Sequence, residues 1–109
     1  MIKENLNIEN IPAIVWGGKS NKVFVSVHGN MSKKEDTVIE LLANKAISKG
    51  YQVISFDLPE HGQRNDGVLC KVQNCVRELE LVMDYVKERW QDISLFACSM
   101  GAYFSLLSY

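Results

Sequence analysis

A serine flanked by small residues is the position of this chain best suited to chemistry. It lies at the centre of the pentapeptide ACSMG, residues 97–101. An apolar segment that favours a strand precedes the pentapeptide, and a helical pattern follows it. A sharp strand-to-helix turn leaves room only for small residues two positions either side of its centre, here Ala97 and Gly101. Such a turn exposes the central hydroxyl, so Ser99 is a candidate nucleophile toward an acyl carbonyl.

Two further polar segments each follow a predicted strand. Residues 23–27 end in His28-Gly29-Asn30, and residues 53–56 end in the segment DLPEHG, residues 57–62. Both strands are nearly continuous in apolar residues, as is typical of strands buried on both faces of a parallel sheet. Because the carboxyl ends of parallel strands meet at one edge, we expect both segments beside Ser99.

The elements that must position these residues alternate between strand and helix. After two short strands within residues 1–16, the order is strand, helix, strand, helix, strand, helix. This order predicts an α/β fold, with a mostly parallel sheet and flanking helices. The first helix is predicted to begin at Ser32, with Glu35 completing a capping box, and to end at Gly50. Its predicted buried face comprises Val38, Leu41, Leu42 and Ala46; that of the second helix comprises Val72, Cys75, Val76, Leu79, Met83, Val86 and Trp90.

The three motifs, in this order, resemble the N-terminal portion of an α/β-hydrolase superfamily serine hydrolase, in its esterase, monoacylglycerol-lipase and serine-aminopeptidase-like branch. The resemblance implies that residues 1–109 are a partial domain ending after the nucleophile elbow, with the C-terminal half absent. It implies Ser99 as nucleophile and the main-chain N–H groups of Asn30 and Met100 as the oxyanion hole. The substrate would be a small ester, thioester or amide, cleaved through an acyl-serine intermediate.

The remaining motif residues are expected to shape loops. His28 and Gly29 would form the oxyanion loop, His61 would order the turn after Asp57, and Asp57 would accept main-chain hydrogen bonds in its own loop. In this family the triad acid and then the histidine follow the serine along the chain. No Asp, Glu or His follows Ser99. We therefore expect the 109 residues alone to have little or no turnover.

Other interpretations remain open at this point. Ser99 could be only a helix cap. The chain could be a truncated, non-catalytic product that self-associates through an exposed sheet edge. The segment Gly17-Gly18-Lys19-Ser20 resembles part of a phosphate-binding loop, which makes nucleotide binding a minor alternative. A phosphate-binding loop leads directly into a helix, whereas a strand pattern follows here.

Composition limits the partners and the cellular location that the protein is expected to have. The net charge of −1 and the absence of a basic stripe argue against a nucleic-acid partner. No apolar run approaches the ~20 residues that a membrane span requires. Three cysteines without a disulfide spacing, and a polar N-terminus, indicate a cytoplasmic protein. Cys70 and Cys75 are interpreted as core residues, and neither a metal nor a cofactor is expected.

Overall fold

A computed structural model describes residues 2–28, 34, 37–59, 61–62, 64, 67–68 and 71–97. Gly29, Asn30, Ser99 and Met100 lie outside the described residues, as do the predicted helix cap at Ser32 and its partner Glu35. The elements are β1 (Lys3–Ile8), β2 (Ile11–Trp16), β3 (Lys22–Val27), α1 (Thr37–Ser48), β4 (Gln52–Phe56), α2 (Val72–Lys87) and β5 (Asp92–Ala97).

The described strands form one mixed sheet in the order β1-β2-β4-β3-β5. Strand β3 pairs in parallel with β4 and with β5, whereas β2 pairs antiparallel with β1 and with β4. A two-residue turn joins β1 to β2, and Glu9 and Asn10 both take positive φ there, as a hairpin turn of this kind requires. The predicted α/β fold class is confirmed, with an antiparallel hairpin added at the edge of its parallel strands.

Each helix covers one face of the sheet. Successive strand residues point to opposite faces, so neighbours such as Val53 and Ile54 belong to different cores. The core beneath α1 contains Ile14, Trp16, Ala43, Ala46 and Val53. The larger core beneath α2 contains apolar residues of β1 to β4 and of the helix, with Ile93 and Leu95 of β5 packed against it. Its buried members include Val23, Val25, Val27, Ile54, Phe56, Cys75, Leu79, Val82 and Val86.

The predicted buried face of α1 is wrong at two positions. Val38 and Leu41 are 49% and 63% exposed, whereas Ile39, Ala43 and Ala46 are buried. The buried set follows the spacing i, i+4, i+7, which is as regular as the predicted one. Ala43 and Ala46 pack in one core with Ile14, Trp16 and Val53 of the sheet, so the buried face of α1 is built largely from small residues.

Helix α2 follows its predicted stripe in part. Cys75, Leu79 and Val86 are buried as predicted, Val76, Met83 and Trp90 are half-buried, and Val82 joins the buried residues. Glu78 is also buried, at 4% exposed, although a charged side chain on an amphipathic helix ordinarily faces solvent. Its burial has a specific cause, an ion pair described below. Neither helix in the described part of the chain is long and apolar enough to cross a membrane.

The glycine-rich segment at residues 17–20 connects two strands. It follows β2 directly, and β3 begins at Lys22. Gly17 takes a φ of +97°, where a side chain would be strained and would also approach Ile47. As the sequence predicts, the segment leads into a strand. A phosphate-binding loop would instead lead into a helix.

Candidate active site

The carboxyl ends of β3, β4 and β5 lie level with one another. Val27, the last residue of β3, pairs with Phe56 on one side and with Ala97 on the other. His28 and Asp57 are therefore the first residues beyond two adjacent strand ends. Ser99 follows the third strand end by two residues in the sequence. The fold thus brings the ends of the three strands that precede the predicted motifs to one edge of the sheet, the edge at which parallel α/β folds place their active sites.

His28 links β3 to the segment after β4. Its side chain is 1% exposed, and its Nε2 atom accepts a hydrogen bond from the main-chain N–H of Leu58 at 3.0 Å. A neutral imidazole that accepts at Nε2 carries its proton on Nδ1. The lone pair of Nε2 is thus engaged with the backbone, an arrangement suited to holding a loop.

His61 stands next to His28. The two ring centroids are 5.1 Å apart, and the rings are tilted by 49°. The Nδ1 atom of His61 lies 2.8 Å from the Pro59 carbonyl oxygen, which can only accept, so Nδ1 donates. This contact closes the turn after Asp57. The loop-shaping roles of both histidines stay predictions, since Gly29 and Glu60 lie outside the described residues.

The carboxylate of Asp57 is fully buried and bound by Lys34. Its Oδ1 atom accepts a hydrogen bond from the Lys34 main-chain N–H at 2.9 Å, and its Oδ2 atom accepts from the Lys34 ammonium, also at 2.9 Å. The side chains of Lys34 and Asp57 are 3% and 0% exposed. These donors come from the connection between β3 and α1, a different loop from that of Asp57.

A second buried ion pair lies beside the first. Arg64 donates to both carboxylate oxygens of Glu78, at 2.5 and 2.9 Å, in the bidentate geometry that suits a guanidinium group. The Nη1 atom of Arg64 also donates to the main-chain carbonyl of Asp57 at 3.1 Å. Arg64 therefore links the segment after β4 to helix α2 by hydrogen bonds. Its ion pair with Glu78 explains why that carboxylate is buried.

Three residues of this polar arrangement escaped the sequence analysis. Lys34 and Arg64 belong to polar segments in which a charged residue ordinarily reaches solvent, and their pairing is set by distant residues. Glu78 did carry a signal, because it shares the spacing i, i+3, i+4 with Cys75 and Leu79 on the apolar stripe of α2. A carboxylate within such a stripe predicts a buried basic partner.

Cys75 is buried, consistent with its interpretation as a core residue. Within the described ranges, no group of three or more His, Cys, Asp or Glu side chains could hold a metal ion. Cys70 and Cys98 lie outside those ranges.

The chain matches no protein-family model and no curated protein. It is similar to several solved structures, however. Est1E from Butyrivibrio proteoclasticus, solved with ferulic acid bound, has a TM-score of 0.80 at 17% identity, over 96% of this chain and 46% of its own. A cold-adapted esterase from an Arctic intertidal metagenomic library has a TM-score of 0.74 at 20% identity, over 97% and 53%. The α/β hydrolase GrgF from Penicillium sp. sh18 has a TM-score of 0.79 at 11% identity, over 98% and 40%.

These similarities establish the fold. Nearly all of this chain superimposes on part of proteins that include esterases and an α/β hydrolase, so the chain has the fold of a portion of an α/β hydrolase, as the ordered motifs predict. The chain spans about half the length of Est1E and of the cold-adapted esterase, and 40% of the length of GrgF.

Proposed function

We propose that this chain contributes the nucleophile and the oxyanion hole of a serine hydrolase that cleaves an ester, thioester or amide. The observation that carries the proposal is the level register of Val27 with Phe56 and Ala97. With β5 ending at this level, a nucleophile at Ser99 would emerge next to the loop that follows His28.

The chemistry follows from that proximity. The hydroxyl oxygen of Ser99 would attack the acyl carbonyl, and the leaving group would depart with a proton to give an acyl-serine that water then hydrolyses. The main-chain N–H groups of Met100 and Asn30 would donate to the developing oxyanion. Removing one such donor costs on the order of 3 kcal/mol of transition-state stabilisation, or at least a hundredfold in rate.

The solved structures support the substrate class. Their names describe esterases, a thioesterase domain and an epoxide hydrolase. The esterases and the thioesterase domain favour a small acyl compound as the proposed substrate. From the sequence alone, we propose a cytoplasmic enzyme that needs no metal or cofactor. Fold similarity alone does not select among these chemistries, because one fold hosts many reactions. The selection rests on the sequence context of Ser99.

Labelling with a fluorophosphonate probe tests the proposal in the full-length protein. We expect the probe to label wild-type protein and to leave Ser99→Ala unlabelled. Ser94→Ala is the matched control, since Ser94 lies on β5 at a half-buried position and makes no predicted contact with substrate. Labelling that persists in Ser99→Ala would contradict the proposal, as would a loss of labelling in both variants.

A second candidate function is self-association through β5. In the described part of the chain, β5 lies at one end of the sheet, paired with β3, and Ile93, Leu95 and Phe96 are half-buried. An open strand edge with apolar neighbours can pair with a second chain. Sedimentation of the 109-residue chain distinguishes the outcomes, because a dimer supports this candidate and a monomer at high concentration contradicts it.

A further inference from the structure

Strand β4 and the residue after it hold Lys34 at three separate points. The main-chain N–H and the ammonium group of Lys34 both donate to the Asp57 carboxylate, each at 2.9 Å. Its main-chain carbonyl accepts a hydrogen bond from the Ser55 hydroxyl at 2.7 Å. The Ser55 hydroxyl in turn accepts from the Trp16 indole N–H at 3.2 Å. The position of Lys34 is therefore fixed relative to the sheet.

Burying this lysine is costly for a loop residue. Lysine in a loop usually extends its ammonium into water, whereas the Lys34 side chain is 3% exposed. Apolar residues often replace a buried ion pair at no loss of stability, so burial alone gives no reason for the pair. What the ion pair adds is a defined geometry, since the same carboxylate binds the main chain and the side chain of one residue.

The same connection is fixed at its other end. His28 immediately follows β3, and its Nε2 atom accepts from the Leu58 N–H at 3.0 Å. Both ends of the connection are thus bound to β4 or to the residues that follow it. His28 binds Leu58, and Lys34 binds Ser55 and Asp57. Five residues separate these two anchors, and Asn30, the proposed oxyanion donor, is the second of them.

We infer that Lys34 is a positioning residue for the oxyanion hole, acting through its ion pair with Asp57 to fix the loop that carries Asn30. This inference rests on the proposed serine-hydrolase function. Lys34 touches neither substrate nor nucleophile in this account. The oxyanion forms only in the transition state, so loss of Lys34 should weaken transition-state binding more than substrate binding.

The kinetic test uses the full-length protein. We expect Lys34→Met to lower kcat for an ester substrate at least about tenfold with KM changed less than about threefold, since losing an oxyanion donor outright costs about 10²–10³ in kcat. The matched control is Glu78→Gln, which breaks the other buried ion pair without touching residues 28–34. It should leave kcat within about threefold of wild type. An unchanged kcat in Lys34→Met, or an equal loss in both variants, would overturn the inference.

A milder variant covers the case in which Lys34→Met does not fold. Lys34→Gln keeps a side-chain donor of intermediate length and removes the charge. We expect it to lower kcat without raising KM, by less than Lys34→Met. A wild-type kcat in Lys34→Gln would contradict the inference, just as an unchanged kcat in Lys34→Met would.

Amide hydrogen exchange separates this inference from the proposed function. In the 109-residue chain, Lys34→Met should accelerate exchange at residues 29–33 at least tenfold relative to Glu78→Gln. That result would support positioning even if the full-length protein showed no hydrolysis dependent on Ser99, which would reject the proposed function alone. Equal exchange at residues 29–33 in the two variants would reject positioning.

Discussion

Gly62 lies against the Asp57 carboxylate so closely that a Cβ atom placed on it would overlap the carboxylate atoms. Gly62 also takes a φ of +57°, the left-handed conformation that favours glycine. Two independent requirements therefore select glycine here: the backbone conformation, and the space beside a buried ion pair.

Substitution of Gly62 by alanine separates these two requirements when Gly67 serves as the control. Gly67 also has positive φ, at +78°, and a Cβ atom there would meet nothing within 4 Å. Gly67→Ala should cost about 1 kcal/mol of unfolding free energy, from backbone strain alone. Gly62→Ala should cost about 1–3 kcal/mol more, from overlap with Asp57. Urea denaturation measures both, and equal losses would contradict the close packing.

The Lys34–Asp57 ion pair predicts a large effect of removing one charge. Asp57→Asn leaves the buried Lys34 ammonium without its carboxylate, so we expect a loss of roughly 3–5 kcal/mol in unfolding free energy. Asp84→Asn, the same change at an exposed position of α2, should stay within about 0.5 kcal/mol of wild type. Denaturant unfolding of both variants provides the comparison. A loss of under 1 kcal/mol in Asp57→Asn would indicate that the ammonium reaches solvent.

The buried face of α1 predicts opposite outcomes for two neighbouring apolar residues. Ile39 is 2% exposed and Leu41 is 63% exposed. Ile39→Ala should therefore destabilise the chain by about 2–5 kcal/mol, whereas Leu41→Ala should change stability by no more than about 0.5 kcal/mol. Thermal or urea unfolding checks this prediction. If Leu41→Ala were the more damaging change, the face predicted from the sequence would be right after all.

The sequence predicted the strands and their succession along the chain well because each strand carries its own signal. Apolar runs bounded by turn residues mark β2 to β5, and the alternation with two helices requires parallel pairing of β3 with its neighbours. The face of α1 was harder, because Val38, Leu41, Leu42 and Ala46 fit helical spacing as well as Ile39, Ala43 and Ala46 do. Only the packing of Ala43 and Ala46 against strand residues such as Trp16 distinguishes the two sets.

The polar arrangement beyond the strand ends was largely hidden from the sequence. His28, Asp57 and His61 were recognisable from their motifs, but their partners were not. The partner of Asp57 lies 23 residues away, in another loop. The Leu58 N–H that binds His28 is 30 residues away. Such pairs depend on which loops the sheet brings together, so they become visible only with the strand order β4-β3-β5.

The absence of an acid and a histidine after Ser99 gives a prediction for the 109-residue chain itself. Without a general base, the serine hydroxyl is a weak nucleophile, so hydrolysis of p-nitrophenyl esters should not exceed background. A spectrophotometric assay with Ser99→Ala as reference measures this directly. Hydrolysis well above background that disappears in Ser99→Ala would show that the chain supplies a base from another position.

The central claim is that Ser99 carries the acyl group during turnover, and trapping that intermediate tests it most directly. The full-length protein is quenched in acid during hydrolysis of a slowly deacylating ester, and its peptides are analysed by mass spectrometry. We predict an acyl adduct on the peptide that contains Ser99, and its absence from Ser99→Ala. Turnover with the adduct on another residue, or undiminished turnover by Ser99→Ala, would contradict the account.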